Sequence, residues 1–148
     1  MHRETVLALA LVLSLSGFAT AQEQKTGVIW LASTRSAVET VNQQQRPLLL
    51  YFTGKDCAWC RKLERTTWSD SKVSGTVNRN FVALKVDGAK DTQLMEKLNV
   101  EGLPTIVIVG PDGKELDRIV GYVTPDEMQK TLRKSVPRQQ AVSSGRYR

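Results

Sequence analysis

The chain has 148 residues, a length that fits one domain with short appendages. It carries 21 Lys and Arg against 15 Asp and Glu, a formal net charge of +6. No basic cluster with interleaved aromatic residues accompanies this charge, so we exclude nucleic-acid binding and interpret the excess as a solvated basic surface.

The first 21 residues have the pattern of a secretory signal peptide. An uncharged run rich in Leu and Ala spans 6–18, follows Arg3 and precedes an Ala-Thr-Ala cleavage site at 19–21. The apolar run is shorter than the ~18 residues that a membrane-spanning helix needs. We therefore expect cleavage before Gln22 and export, with an uncleaved anchor as the alternative.

Predicted helices and strands alternate along the rest of the chain. In chain order, the patterns predict a helix over 28–45, a strand over 48–52, a helix from Cys57, a short helix over 73–78, a strand over 81–87, a helix capped by Asp91, a strand over 105–109, a hairpin strand over 115–120 and a helix capped by Thr124. This alternation predicts an α/β domain over 22–135, with a central four-stranded mixed sheet and helices on both faces. Residues 136–148 lack periodicity and are predicted to be a disordered basic tail.

The only two cysteines, Cys57 and Cys60, are separated by two residues. A bridge across so short a loop removes little entropy from the unfolded chain, and strained or exposed disulfides are easily reduced. The spacing therefore favours a redox pair over a structural clip. A structural zinc site needs four ligands, and the single histidine, His2, lies in the predicted signal peptide. We expect no metal and no cofactor.

These segments resemble the thioredoxin-fold proteins, above all the exported domains that include the soluble redox domain of membrane thiol:disulfide interchange reductases. The resemblance covers 28–135 and is carried by the strand 48–52, Cys57-Ala58-Trp59-Cys60-Arg61-Lys62-Leu63, the strand 81–87, the segment Val100-Glu101-Gly102-Leu103-Pro104-Thr105 and the hairpin 111–114. It implies a thioredoxin fold.

The resemblance also implies roles for individual residues. Cys57 is then the exposed nucleophile and Cys60 the buried resolving thiol, and a helix N-terminus stabilises the Cys57 thiolate. Pro104 is expected to follow a cis peptide bond, and Leu103 to offer its backbone to an extended substrate peptide. We expect Trp59 to be partly exposed as an apolar surface for a partner, with helix packing as the alternative.

Two departures from the family pattern bear on the direction of electron flow. Tyr51 occupies the position where many thioredoxins carry a buried acid, and the dipeptide between the cysteines contains no histidine. One means of strongly stabilising the Cys57 thiolate is therefore missing, which favours a reductase or moderate exchanger over a strong oxidant. Trp30 and Trp68 are interpreted as core residues, and Glu64 as a solvated charge, as is Asp70 unless it caps a helix.

The sequence thus predicts an exported thiol–disulfide oxidoreductase that exchanges disulfides with protein substrates. We expect it to be periplasmic, with secretion as the alternative, and to be a monomer served by an upstream redox partner such as a membrane reductase. Two other functions stay open. One is a redox-inert thioredoxin-fold binding or chaperone-like module, and the other is a metal-handling protein whose two thiolates hold Cu(I) or zinc.

Overall fold

The structure is a computed structural model that describes residues 27–31 and 33–136. The predicted signal peptide and most of the predicted tail lie outside the described residues, whereas Val136 packs against the core. The elements, in chain order, are α1 (Thr34–Gln44), β1 (Leu48–Thr53), α2 (Ala58–Leu63), a π-helical turn (Glu64–Trp68), α3 (Ser71–Asn80), β2 (Val82–Asp87), α4 (Thr92–Lys97), β3 (Thr105–Val109), β4 (Glu115–Val120) and α5 (Pro125–Ser135).

The four strands form one mixed sheet in the order β2-β1-β3-β4. Strand β1 pairs in parallel with β2 and antiparallel with β3, and β3 pairs antiparallel with β4. Five of the six residues of β1 are buried, as its apolar composition predicts for a central strand. The predicted four-stranded mixed sheet is confirmed.

Helices cover both faces of this sheet. One face, which we call the aromatic face, packs against α3, α5 and the π-helical turn, and includes Tyr51 and Trp68. The other, the aliphatic face, packs against α1 and α4, and includes Phe52, Leu84 and Val107. Because β1 alternates its side chains between the faces, the neighbours Tyr51 and Phe52 belong to different cores.

Each of the five α-helices among the described residues begins at a residue whose side chain caps it, which for α2 is Cys57. Asp91 caps α4, and Thr124 caps α5 in a capping box with Glu127, as the sequence predicts. Ser33 caps α1. Asp70 is more than a solvated charge, because its carboxylate accepts hydrogen bonds of 2.9 Å from two backbone amides at the start of α3.

The prediction of a helix from residue 28 is wrong at its start. Residues 28–31 run alongside β2, where the Leu31 amide donates to the Ala83 carbonyl at 2.8 Å and Leu31 forms a parallel bridge to Leu84. The free edge of β2 offers unpaired backbone groups to this segment, and the Ser33 cap delays the helix to Thr34. Among the described residues, no helix is long and apolar enough to cross a membrane.

The helix after the cysteines does not continue as an α-helix. It widens at Glu64 into a π-helical turn, which ends at Trp68. π-Helical segments are rare and are frequent at functional sites. Thr67 and Trp68 are buried in this turn, and the Thr67 hydroxyl donates to the Val123 carbonyl at 2.7 Å. The turn therefore fastens the cysteine-bearing helix to the loop between β4 and α5.

Candidate active site

Cys57 and Cys60 form a disulfide at the start of α2, with their Cα atoms 5.2 Å apart. Strand β1 ends at Thr53, a turn follows, and Cys57 is the N-cap of α2. The Cys57 Sγ accepts a hydrogen bond of 3.1 Å from the Cys60 amide. Such an amide at a helix N-terminus also favours a thiolate once the disulfide is reduced.

The two sulfurs are unequally accessible. Cys57 is half-buried, whereas Cys60 is 1% exposed beneath it. Only Cys57 lies in position for attack on the disulfide of another protein. The geometry therefore orders the two thiols, with Cys57 able to react first and Cys60 able to react only with its neighbour.

Leu103 lies beside Cys57, and Pro104 follows it in the chain. Their peptide bond is cis, the isomer that the family resemblance implies, and Pro104 is buried. Leu103 and Cys57 line one cleft of about 550 Å³, whose walls also include Lys55 and Asp87. The structure thus brings together the cysteine and the loop that the sequence places almost fifty residues apart.

A second cleft, of about 430 Å³, opens beside Cys60. Glu64 and Lys85 line it with Cys60, and they form an ion pair with 2.7 Å between the Lys85 Nζ and the Glu64 Oε1. Glu64 is therefore more than a solvated charge. The π-helical turn begins at Glu64, and Lys85 comes from the neighbouring strand.

Tyr51 joins this ion pair to the cysteines. Its hydroxyl donates to the Cys60 carbonyl at 3.3 Å and to the Glu64 carboxylate at 3.4 Å. Burial raises the pKa of the Tyr51 hydroxyl above its usual value, and the Glu64 charge raises it further, so the hydroxyl stays protonated. In the register of the sheet, Tyr51 of β1 lies opposite Lys85 of β2. The sequence could have singled out Lys85, because it is the one charged residue in the otherwise apolar run 81–86.

Trp59 lies on the outer side of the site and is 56% exposed. Its ring centroid lies 5.9 Å from that of Tyr122, which belongs to the loop between β4 and α5. The Nζ of Lys62 lies 4.9 Å from the Trp59 centroid and 4.3 Å from the Tyr122 centroid. Sequence reasoning identified Trp59 as partly exposed and missed its two neighbours.

Trp30 and Trp68 pack as core residues around Tyr51, as predicted. The three ring centroids lie 5.2 to 5.5 Å from one another, and Trp68 is 3% exposed. Within 27–31 and 33–136, no group of three or more His, Cys, Asp or Glu side chains is placed to hold a metal ion. The clefts beside the cysteines are lined by polar side chains that include Thr53, Lys55, Arg61 and Asp87 besides Glu64 and Lys85.

Comparison with known proteins agrees with this geometry. The model of the thioredoxin-like domain family matches residues 34–135. The thiol:disulfide interchange protein DsbD of Pectobacterium atrosepticum is 32% identical over 62% of this chain and 17% of its own length. DsbD of Ralstonia nicotianae is 27% identical over 96% of this chain and 24% of its own length. The chain thus spans less than a quarter of these relatives.

Solved structures show the same fold. A thioredoxin from Thermus thermophilus superposes with a TM-score of 0.67 at 25% identity, covering 80% of this chain and 91% of its own. The oxidised C-terminal domain of DsbD from Neisseria meningitidis gives a TM-score of 0.62 at 18% identity, covering 72% and 99%. The chain belongs to the thioredoxin-like domain family, and its domain is of the thiol–disulfide oxidoreductase kind, with the Cys57–Cys60 disulfide at the start of α2.

Proposed function

We propose that this chain is an exported thiol–disulfide oxidoreductase that acts on protein substrates, and that it works as a reductase. One observation carries the proposal. Cys57 is accessible at a helix N-terminus beside an open cleft, and its disulfide partner Cys60 is buried beneath it. This is the arrangement that a two-step exchange of disulfides requires.

In the first step, the Cys57 thiolate attacks one sulfur of a substrate disulfide. A bond forms between Cys57 and the substrate, the substrate disulfide breaks, and its second sulfur leaves as a thiolate that takes up a proton. Cys60 then loses its proton and attacks the Cys57 sulfur, which releases the remaining substrate thiol. The substrate gains two electrons and two protons, and the protein is left with the Cys57–Cys60 disulfide.

The residues around the sulfurs have separate roles in this proposal. Leu103 lines the cleft against which an extended substrate segment binds, the buried Pro104 positions Leu103, and Trp59 adds apolar contact on the other side. On the inner side, the cleft lined by Glu64 and Lys85 connects Cys60 to solvent. A proton that leaves Cys60 in the second step can therefore reach solvent through this polar cleft.

The direction and the setting are inferred from the sequence and the relatives. The lack of histidine between the cysteines favours a reductase, and relatives named thiol:disulfide interchange proteins suggest a redox partner that returns electrons to the disulfide. We propose a membrane reductase for that role. The signal pattern at 1–21 supports export to the periplasm, with the domain at 22–135 acting as a monomer.

Trapping of a mixed disulfide tests the core of the proposal. A Cys60→Ser variant retains the nucleophile and lacks the resolving thiol, so it should accumulate a covalent adduct with a disulfide-containing protein such as oxidised insulin. A Cys57→Ser variant, the matched control, should form none, because Cys60 is buried. Equal trapping by both variants would contradict the assigned order of the thiols.

The reduction potential of the pair tests the direction. Thioredoxin-like reductants lie near about −270 mV and strong oxidants near about −120 mV. We expect a value close to the first, measured by equilibration with glutathione buffers. A value near the second would make the protein an oxidant, and a pair that never exchanges with glutathione would favour the redox-inert binding module.

A further inference from the structure

The proposed active site is bordered by a surface of which the proposed exchange reaction uses only Trp59. It consists of Trp59, Lys62 and Tyr122, together with the exposed side chain of Arg65, three residues after Lys62. We call it the aromatic–basic surface. Trp59 lies between the two cysteines in sequence, so the surface begins at the disulfide itself.

The aromatic part of this surface is fixed in place. The Lys62 ammonium lies over both rings, 4.9 Å from the Trp59 centroid and 4.3 Å from the Tyr122 centroid. Cation–π attraction of this kind holds the lysine against the rings. The Tyr122 hydroxyl also lies 3.2 Å from the Thr66 hydroxyl, one residue before the buried Thr67. The rings are thus arranged before any partner arrives, which lowers the entropy lost on binding.

The charge of the surface is unbalanced. Lys55, Arg61, Lys62 and Arg65 are all exposed, and none of them takes part in the ion pairs found among the described residues. Glu64, the acid within the same stretch of helix, is already paired with Lys85 on the inner side. Two carboxylates lie near these four cations, because Asp56 follows Lys55 directly and Asp87 lines both clefts together with Lys55.

Stacking leaves the Lys62 charge available to a partner. An ammonium has three donors, and contact with two rings occupies only part of its surface. Lys62 follows Cys57 by five residues, about 7.5 Å along a helix. An extended substrate segment rises about 3.3 Å per residue, so a side chain two or three positions from the bonded cysteine reaches Lys62.

We propose that the aromatic–basic surface docks a protein segment that carries acidic side chains two or three residues from its reactive cysteine. The proposal rests on the proposed exchange function and assigns the chemistry of its partner. The carboxylates pair with Lys62 and Arg65, and an apolar side chain between them lies on the Trp59 ring. The surface selects partners by charge and speeds their encounter.

Two synthetic peptides of equal length test this proposal. Each contains one cysteine held as a mixed disulfide with glutathione, flanked by glutamates in one peptide and by lysines in the other. The measurement is the second-order rate constant for reaction with the reduced protein. We expect the acidic peptide to react about tenfold faster at low ionic strength, and the ratio to shrink in about 0.5 M NaCl.

Variants that remove charge test whether the ratio of the two rate constants depends on this surface. The double variant Lys62→Gln/Arg65→Gln should bring the ratio of the two rate constants close to one. The ratio is the readout because a change in Cys57 reactivity alters both rates alike. Arg133→Gln/Lys134→Gln, which removes the same two charges from the last turn of α5, is the control and should keep the ratio of the unmodified protein.

The outcomes separate the two proposals. Equal rates for the two peptides, or a ratio that survives the double variant, would overturn the docking proposal and leave the exchange function intact. Failure of both peptides to react would contradict the exchange function itself, and the docking proposal with it.

Discussion

The two faces of the central sheet differ in the chemistry of their buried side chains. The buried part of the aliphatic face is mainly apolar, with Phe52 as its largest member and Thr105, opposite Phe52 in the register of β1 and β3, as a buried polar residue. The aromatic face also buries polar groups, among them the hydroxyl of Thr67 and the amide of Gln129, and it surrounds the hydroxyl of Tyr51. The cysteine-bearing helix continues into the π-helical turn that packs on this second face.

This difference separates residues that only stabilise the fold from residues that also influence the redox chemistry of the cysteines. The aliphatic cluster reaches the cleft beside Cys57 through Leu103, and among the described residues no side-chain hydrogen bond joins this cluster to the cysteines. On the aromatic face, the Tyr51 hydroxyl touches both the Cys60 carbonyl and the Glu64 carboxylate. Substitutions on the aliphatic face should therefore change only the free energy of unfolding, and those at the polar tips of the aromatic face should also change redox behaviour.

Phe52→Ala should have the largest effect. Phe52 is fully buried, and truncation of such a side chain leaves a cavity that costs about 3–5 kcal/mol. Urea unfolding of the oxidised protein measures this loss. The reduction potential of the folded protein should stay the same, and a clear shift would show that the two faces are coupled.

Tyr51→Phe tests the opposite face with a smaller change. Loss of the hydroxyl removes a buried hydrogen-bond donor at a cost of about 0.5–1.5 kcal/mol. Because the hydroxyl binds the turn that carries Cys60, the reduction potential should shift by about 10–30 mV, the equivalent of that energy for a two-electron couple. Phe52→Leu, on the aliphatic face, is the control. A potential equal to that of the unmodified protein in Tyr51→Phe would refute the proposed link.

Glu64→Gln should cost less still. The side chains of Glu64 and Lys85 are 38% and 40% exposed, and ion pairs exposed to this degree contribute no more than about 1 kcal/mol. The difference in unfolding free energy from the unmodified protein should shrink in about 1 M NaCl, where charges are screened. Lys90→Gln, which breaks the more exposed pair with Asp87, should show a smaller effect. A loss that persists in salt would indicate that the carboxylate acts by its hydrogen bond to Tyr51.

Glu127 should give the smallest effect, visible only as a dependence on pH. Hydrogen bonds from the Thr124 side chain and backbone hold the pKa of the Glu127 carboxyl below its usual value of 4.5. A carboxyl whose pKa is lowered on folding stabilises the protein above its unfolded-state pKa, and this contribution is lost as the pH falls through the folded pKa. Glu127→Gln should therefore flatten the acid side of the stability curve below about pH 5. An unchanged curve would contradict this assignment.

Local signals predicted much of the fold. The apolar strand β1, the Asp91 and Thr124 caps, and the hairpin before β4 were readable, because each depends on residues that are near neighbours in sequence. The cysteine pair was readable for the same reason. These are the features that local chemistry determines.

The errors and omissions arise from contacts distant in sequence. Residues 28–31 have a helical pattern of apolar positions, yet the edge of β2 captures them as an extended segment. Glu64 meets Lys85, and Lys62 meets Tyr122, across separations of 21 and 60 residues that no periodicity reports. The π-helical turn that presents Glu64 has no local sequence signal that we recognise.

The bridge between Leu31 and Leu84 has a consequence for solubility. It covers part of the β2 edge, and unpaired strand edges are the places where sheets of separate molecules join into aggregates. The opposite edge, β4, carries Glu115, Asp117 and Arg118, charges that oppose the same kind of joining. Both edges of the sheet are thereby less open to pairing with the strands of another molecule.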